Sequence, residues 1–535
     1  MADPRSRINR RRFLHYAAGG SLVSLLAACT FAGPAAPTSA PAPASGGAPT
    51  AAPQAAPTAV RSSGSKSITV VQAADVPNLD PSRNLVVHVY TVADNVLDTP
   101  TYLDSDMKLQ PRLATSWKPV DDTTWEVKFR TGVKFHDGSQ FDTAAVKASW
   151  DYQTASTAGS KTFFNNWASL DAVDASTVHV KTRAADPYFP NTLSRLWIFS
   201  PNDLKDPSVF GRKLTGTGPF KLTDFAQGQQ ITLAANGDYW GGAPKLDGVI
   251  LRAAPEPSAR TAMLQAGQAD VVVNLPVEQA QQVQSSDQLR LAAVTGLRGV
   301  PLMIDTRTGP PLSDVRVRQA MNYAVDKDSI IKSILGGFAQ QQPATISPLV
   351  EGHSAAVQPY AYDPDKARQL LSDAGYGSGF EIDFHHPTGR WMKDAEAAQA
   401  IAQMLGKVGI KANLQTAEYS TFFGTWSKGD YHGMSMIGVT APDGAPMSLY
   451  TLFLYAKGAW PFSWTDPMMD SLIEKAQSTL DQASRVATLG QLEQFVHDNA
   501  PFVFTWEQKD LYGVNKALNW QPPGNEIMHL WTATF

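Results

Sequence analysis

The sequence predicts an α/β protein on three observations: stretches that alternate apolar and polar residues, short wholly apolar runs, and amphipathic segments opened by Asp or Asp-Pro. Trp125, Val127 and Phe129 alternate with Glu126, Lys128 and Arg130, and Val133 and Phe135 continue the pattern past Gly132. That pattern predicts two half-buried strands joined by a turn. Leu246 to Ala253 and Asp270 to Leu275 predict strands covered on both faces. Asp314 caps a predicted helix whose Val317, Ala320, Met321, Ala324 and Val325 share one face. Asp363-Pro364 opens another, with Ala367, Leu370, Leu371 and Ala374 inward and Gly375 as its stop. Asp394 to Val408 repeats the pattern with Ala398, Ile401, Met404, Leu405 and Val408, and so does the helix opened by Asp466-Pro467, with Met469, Leu472, Ile473 and Ala476. All of these faces read as core.

Length and charge bound the function. The 535 residues give room for three or four domains, at ~150 residues each. With 43% hydrophobic and 18% charged residues the composition is globular. The net charge of -4 conceals an asymmetry: residues 1–28 hold five Arg and one Asp, leaving 40 basic and 48 acidic groups in the remainder. So acidic a remainder argues against a nucleic-acid partner, whose binding rests on phosphate neutralisation. A single cysteine, Cys29, excludes a disulfide framework and any multi-thiolate metal site. No cofactor and no bound metal are expected.

The N-terminal region predicts an address. Arg10-Arg11-Arg12-Phe13-Leu14 precede Ala17 to Ala28, an apolar run of twelve residues. A spanning helix needs ~20, so residues 1–28 read as a secretion signal. The run RRRFLH resembles the twin-arginine export signal. Leu26-Ala27-Ala28-Cys29 resembles the bacterial lipobox, in which the thiol receives the lipid. Residues 29–66 read as a flexible Ala/Pro linker: 32 of the 36 residues from 30 to 65 are Ala, Pro, Gly, Ser or Thr. Its reach lies between a random-coil ~35 Å and a polyproline-like ~110 Å. The expected location is therefore extracytoplasmic, lipid-anchored to the cell membrane.

From Leu113 the residues carry a family resemblance. Leu113-Ala114-Thr115-Ser116-Trp117, the run Trp125 to Gly138 with its Phe135-His136-Asp137-Gly138 ending, and Phe141-Asp142-Thr143-Ala144-Ala145-Val146-Lys147 resemble the signature of the extracellular solute-binding proteins of family 5. Gly216-Thr217-Gly218-Pro219-Phe220, Asn236-Gly237-Asp238-Tyr239-Trp240, Asp314 to Asp326 and Asp363 to Tyr376 follow in the family's order. These are the peptide, oligopeptide and nickel-type receptors of ABC importers. The resemblance implies the two-lobe periplasmic-binding-protein fold with a hinge and a domain inserted in the first lobe. On this chain it implies lobe one at 67–102, 200–297 and 508–535, the inserted domain at 103–199 and lobe two at 298–507. Trp125, Phe129 and Phe135 would then be scaffold, and Gly216 and Gly218 turn or hinge residues. The implied partners are permease subunits with their ATPases, and the implied ligand is a peptide or related small solute.

The resemblance also suggests where the ligand sits: the loop Asn78 to Tyr90, including Asn84 and Tyr90; the segment His386 to Trp391, with Arg390 as a carboxylate clamp; and the stretch Trp426 to Asp443. Trp391, Trp426, Trp460 and Trp464 are candidate stacking walls. Peptide-binding members place an Asp in a W-G-x-D-Y segment, where it pairs with the peptide ammonium. Here the corresponding stretch is Ile437 to Asp443, with Thr440 at the acidic position and Asp443 three residues on. A Thr hydroxyl cannot neutralise an ammonium. A short peptide is thus the default ligand, and an oligosaccharide, an opine-like conjugate, an N-blocked peptide or a metal chelate is the alternative.

Two rival classes compete with this reading. Ser329-Ile330-Ile331-Lys332 and Ser63-Gly64-Ser65-Lys66 fit the S-x-x-K pattern of extracytoplasmic serine enzymes, but no S-D-N or K-T-G follows. Adjacent His385 and His386 in a strand would face opposite ways and could not chelate one metal. A receptor without transport is the other rival. The expected protein is a binding protein and no enzyme.

Overall fold

Local chemistry sets the helices. In the computed structural model, which describes residues 66–155, 157–441 and 443–535, the carboxylate of Asp314 accepts the amide of Arg316 (2.9 Å) and starts the helix Val315–Ala324. Asp363 accepts Lys366 N (2.9 Å) before Pro364–Asp373, and Asp466 accepts Met468 N (2.7 Å) before Pro467–Ser478. Gly375 ends its helix at φ +90°, a left-handed conformation that glycine reaches without a Cβ clash. Val317, Ala320, Met321 and Ala324 are all buried. Cys29, the secretion signal and the linker up to residue 65 lie outside the described residues.

The strands assemble into three sheets of three or more strands and one two-stranded ribbon. A nine-stranded mixed sheet is built around Ile68–Gln72, which runs parallel to Gly248–Ala253 and to Val271–Val272. Its further strands are Phe220–Ala226, Gln230–Ala235, Leu289–Gly299 and Trp506–Asn515. A five-stranded sheet orders Ile410–Glu418, Phe380–Thr388, Met434–Met436, Leu302–Ile304 and Phe502–Val503. A four-stranded antiparallel sheet orders Ala114–Asp121, Thr124–Phe129, Thr177–Thr182 and Trp167–Ala172. Each sheet has its own apolar core; that of the four-stranded sheet includes Trp125, Phe129 and Phe135, with Trp125 stacked on Phe189 at 4.9 Å.

Three expectations change. Val133 to Phe135 form no strand, only an isolated bridge between Lys134 and Gln140. Gly132 and Gly138 take φ of +76° and +85°, and Phe135 N bonds Ser139 O, so this backbone closes on itself in turns. The strand read at Asp270 to Leu275 shrinks to Val271–Val272, because Asn274 turns away at φ +52°. Two short strands from within 298–507, Ala339–Gln341 and Val439–Thr440, join the nine-stranded sheet, so the expected border between lobes is crossed by strand pairing.

Several connections join the two large sheets, and two of them run side by side. Leu289–Gly299 leads through Val300 and Pro301 into Leu302–Ile304; Phe502–Val503 leads through Phe504 and Thr505 into Trp506–Asn515. The crossings are bonded to each other: Val300 N donates to Trp506 O (2.9 Å) and Thr505 Oγ1 to Val300 O (2.5 Å). At Gly299 a Cβ would lie 2.2 Å from Gln342 Oε1, so the Gln342 amide packs directly against this backbone.

The four-stranded sheet is tied to the nine-stranded one by a buried ion cluster. Arg112 Nε lies 2.5 Å from Asp98 Oδ1, and its Nη1 lies 3.0 Å from Asp94 Oδ1. Asp98 also accepts Thr217 Oγ1 (2.8 Å), Tyr239 Oη (3.2 Å) and Trp240 Nε1 (2.8 Å). Gly216 and Gly218 pack here, where a Cβ would meet Val96 O at 2.2 Å and 2.6 Å; neither has a positive φ and neither stands at a crossing, so close packing is their role.

One buried carboxylate sets a pH dependence. Glu493 is fully buried in the core of the five-stranded sheet, with Ser354 N on one oxygen (2.7 Å) and none on the other, and burial raises it to about 7 from 4.5. The folded protein keeps this proton up to about pH 7, whereas the unfolded chain releases it near 4.5. Stability therefore falls as pH rises through that window. Glu493→Gln is expected to raise the melting temperature at pH 8 by a few degrees and to give no comparable gain at pH 4.5, measured by differential scanning fluorimetry. Equal gains at both pH values would contradict this assignment.

Candidate functional site

Where the two crossings leave the large sheets, charged side chains gather on adjacent strands. Leu289–Gly299 supplies Arg298, and Trp506–Asn515 supplies Glu507 and Asp510. Arg298 Nη2 binds Glu526 Oε2 at 3.2 Å, from the C-terminal segment. Burial pushes the Asp510 carboxyl well above the usual carboxylate range; neighbouring Glu526 and Glu507 push the same way and Arg298 opposes them. Burial also raises Glu507 to about 7, with one oxygen taking Gln340 Nε2 (2.8 Å) and the other unpartnered. Asp510 and Glu526 thus share one guanidinium, and Glu507 adds to the negative field on Asp510.

A cavity of about 630 Å³ opens above Arg298, Asp510 and Glu526, a size within the range of small-molecule sites. Its nearer wall includes Ala73, Asn274 and Glu278, and its opposite wall is the segment Thr388 to Asp394 beyond the end of Phe380–Thr388. The carboxylate of Asp394 shapes that segment: it accepts the amides of Gly389 (3.0 Å), Arg390 (2.8 Å), Trp391 (3.1 Å) and Ala395 (2.9 Å). The loop is therefore wrapped on its own helix start, with Lys393 left-handed at φ +53°, and Arg390 and Trp391 line the cavity. Arg390 lies over the Tyr419 ring at 5.1 Å. Lys393 pairs with Glu278 across the cavity mouth and with Glu396 (3.0 Å) on its own helix. Five cationic and five anionic side chains line the space, so its field favours no net ligand charge.

Arg298 and Trp391 also line a second cavity of about 250 Å³, walled by aromatic rings. Trp391 meets Tyr419 at 6.0 Å, Tyr419 meets Phe423 at 6.0 Å, and Trp460 lies 5.9 Å from Phe423 and 5.3 Å from Trp426. Thr440 stands at its edge, on the strand Val439–Thr440 paired to Arg298.

Of the residues singled out by sequence, Arg390, Trp391, Trp426, Trp460 and Thr440 line these cavities. The others line neither. Asn84 is turned inward within its own loop, its Nδ2 donating to Asn78 Oδ1 (2.5 Å). Tyr90 is core, stacked on Trp197 at 4.9 Å. His386 is buried in its sheet, with Nε2 2.9 Å from Thr416 Oγ1, while His385 faces the other way onto Tyr431 at 4.0 Å. Asp443 turns toward another segment: its backbone oxygen takes Asn191 Nδ2 (2.8 Å), and Arg195 opposes the upward push of burial on its carboxyl. Trp464 packs on Phe495 at 5.7 Å. Ser329 is exposed, its amide bound to Asp326 Oδ1 (3.0 Å). Arg298, Asp510, Glu526 and Tyr419 escaped sequence reasoning; the only signal was a pair of acidic residues, Glu507 and Asp510, in a strand otherwise dominated by buried residues.

Among the described residues no helix is long and apolar enough to cross a membrane, and no group of three His, Cys, Asp or Glu side chains is placed to hold a metal ion. Comparison with known proteins agrees with this architecture. Residues 108–460 match the family profile described as "Bacterial extracellular solute-binding proteins, family 5 Middle". The glutathione-binding protein GsiB of Escherichia coli K12 is 28% identical over 464 residues, covering 82% of this chain and 88% of that protein. The same-named protein of Pectobacterium atrosepticum is 29% identical over 479 residues, covering 85% and 91%. Among solved structures, HbpA2 of Haemophilus parasuis superposes with a TM-score of 0.80 at 22% identity, covering 88% of this chain and 99% of that one. DppA of Helicobacter pylori, in complex with the peptide STSA, gives 0.72 at 24%, covering 88% and 98%. The fold is that of the two-lobe periplasmic binding proteins, and the chain belongs to the bacterial extracellular solute-binding proteins of family 5.

Proposed function

We propose that this substrate-binding component of an ABC importer captures a small zwitterionic solute, a short peptide or peptide-like molecule, and holds it between its two lobes. The observation that carries the ligand class is the acidic cluster at the base of the larger cavity, where Asp510 and Glu526 share Arg298 and Glu507 adds to the negative field on Asp510. Such a cluster is stabilised by one more positive charge, which a ligand ammonium supplies. Arg390, on the opposite wall and held only through its backbone and a ring contact, is the group to pair with a ligand carboxylate. Thr440 provides no counter-charge for an ammonium, but Asp510 and Glu526, on another wall, do. This favours a zwitterion over a neutral oligosaccharide or an N-blocked peptide. The relatives named for glutathione binding and for a bound peptide support the same class.

A ligand touching both walls binds the closed arrangement of the lobes better than the open one and so shifts the population toward closure. Closure, not chemistry, is the output: the protein returns its solute unchanged to the permease and its ATPases. The lobes are 67–102 with 200–297 and 508–535, and 298–507, carrying the insertion 103–199; the two exchanged strands make the border interlocked. For location, residues 1–28 serve as a twin-arginine signal, Cys29 carries the lipid and residues 30–65 are the tether.

Two experiments test this. In calorimetric titration, unmodified di- to pentapeptides are expected to bind, and acetylating the amino end or amidating the carboxyl end is expected to weaken binding roughly ten- to hundredfold, as for a charged hydrogen bond worth ~1.5–3 kcal/mol. Asp510→Asn should remove the penalty for acetylation and Arg390→Ala that for amidation. Blocked peptides or oligosaccharides that bind as well as free peptides would refute the zwitterion assignment. For location, Cys29→Ser should move the protein from the membrane to the soluble extracytoplasmic fraction, and Arg10→Lys with Arg11→Lys should stop export. A processed Cys29→Ser protein still in the membrane fraction would refute the anchor.

A further inference from the structure

The aromatic cavity beside the main one has a chemistry of its own. Trp391, Tyr419, Phe423, Trp426 and Trp460 form a continuous series of ring contacts, each centroid within about 6 Å of the next. Ile437 and Leu452 add aliphatic wall, and Gly438 is required because a Cβ there would stand 2.6 Å from Trp391 Nε1. The polar groups in the lining are the Thr440 hydroxyl, the Arg298 guanidinium, already held by Glu526, the Tyr419 hydroxyl and the indole N–H groups of the Trp side chains, with no carboxylate and no side-chain amide. Phe423 is 38% exposed although it faces this cluster, and the Trp391 indole N–H, on a side chain only 8% exposed, has no hydrogen-bond partner.

Three ligand groups compete for such a space. A sugar ring stacks on aromatics, but each of its hydroxyls needs an acceptor as well as a donor, and a lining with no carboxylate or side-chain amide offers side-chain acceptors only at the Thr440 and Tyr419 hydroxyls. A cationic group would gain from the ring faces but would be placed beside Arg298 with no carboxylate in the lining. An apolar planar group loses nothing on leaving water and gains edge-to-face contact with the surrounding rings. The shared residues Arg298 and Trp391 connect this space to the larger cavity, where the charged ends of the solute are held.

We infer that the aromatic cavity is a selectivity pocket for an aromatic side chain of the solute, so that the protein prefers peptide-like zwitterions carrying Phe, Tyr or Trp. This rests on the zwitterion reading of the main cleft. The pocket supplies discrimination and the charged walls supply capture.

Calorimetric titration of the full chain with Ala-Ala-Ala and with the three tripeptides carrying one Phe separates the two claims. At least one Phe tripeptide is expected to bind tenfold or more tightly than Ala-Ala-Ala. In Phe423→Ala, a substitution at a side chain partly in solvent, that ratio should fall below threefold, and Trp460→Leu should lower it as well. Binding of Ala-Ala-Ala with equal affinity for every Phe tripeptide would overturn the selectivity pocket while sparing the cleft assignment. A stronger gain from a Lys-containing tripeptide, or tighter binding of an oligosaccharide than of any tripeptide, would overturn it too. No binding of any tripeptide would overturn the cleft assignment and the pocket with it.

Discussion

The double crossing between the two large sheets is the constraint on which the rest depends. Two antiparallel segments, bonded to each other through Val300, Thr505 and Trp506, join the nine-stranded sheet to the five-stranded one. Because they are paired, they leave the larger sheet at one place and put Arg298 and Asp510 on neighbouring strands. The charged base of the cleft thus follows from topology. A ligand site at a junction of this kind can change its width by rotation about a few backbone bonds.

The second constraint is electrostatic. Asp98, at the end of the helix Val87–Val96, gathers Arg112 from the start of the four-stranded sheet, Thr217 from the glycine-rich turn, and Tyr239 with Trp240 from the segment Asn236 to Trp240. Removing one partner from a buried pair of this kind leaves an uncompensated charge and costs about 3–5 kcal/mol. Arg112 is additionally covered by Trp531 at 4.5 Å, so the chain terminus closes over the cluster. Motifs that carry the family resemblance therefore meet at one buried carboxylate some distance in sequence from the cleft. They mark how the scaffold is joined and say little about what it binds.

What the sequence revealed divides along the same line. Helix starts were legible because a cap is local: Asp314, Asp363 and Asp466 each bond an amide two or three residues on. Sheet order was not, since pairing of Leu289–Gly299 with Trp506–Asn515 joins residues some 220 positions apart. Arg390 and Trp391, which line the larger cavity, were singled out because the family places a ligand segment there, and the aromatic cavity through Trp391, Trp426 and Trp460, three of the four Trp that fall close in sequence. Arg298, Asp510 and Glu526 were missed because a charged residue in a strand reads as solvated until its neighbours are known. Asn84, Tyr90, His386 and Asp443 line neither cavity, because each engages its polar groups or its ring with other residues of the scaffold.

Capture between two lobes makes one demand above all, that the solute be the bridge between two walls that otherwise separate. Small-angle X-ray scattering of the protein with and without a saturating tripeptide tests that demand directly. The account predicts a smaller radius of gyration in the presence of the ligand, with the change abolished in Arg390→Ala, where one wall loses its grip. Scattering curves that superpose with and without a ligand whose binding is independently established would contradict it.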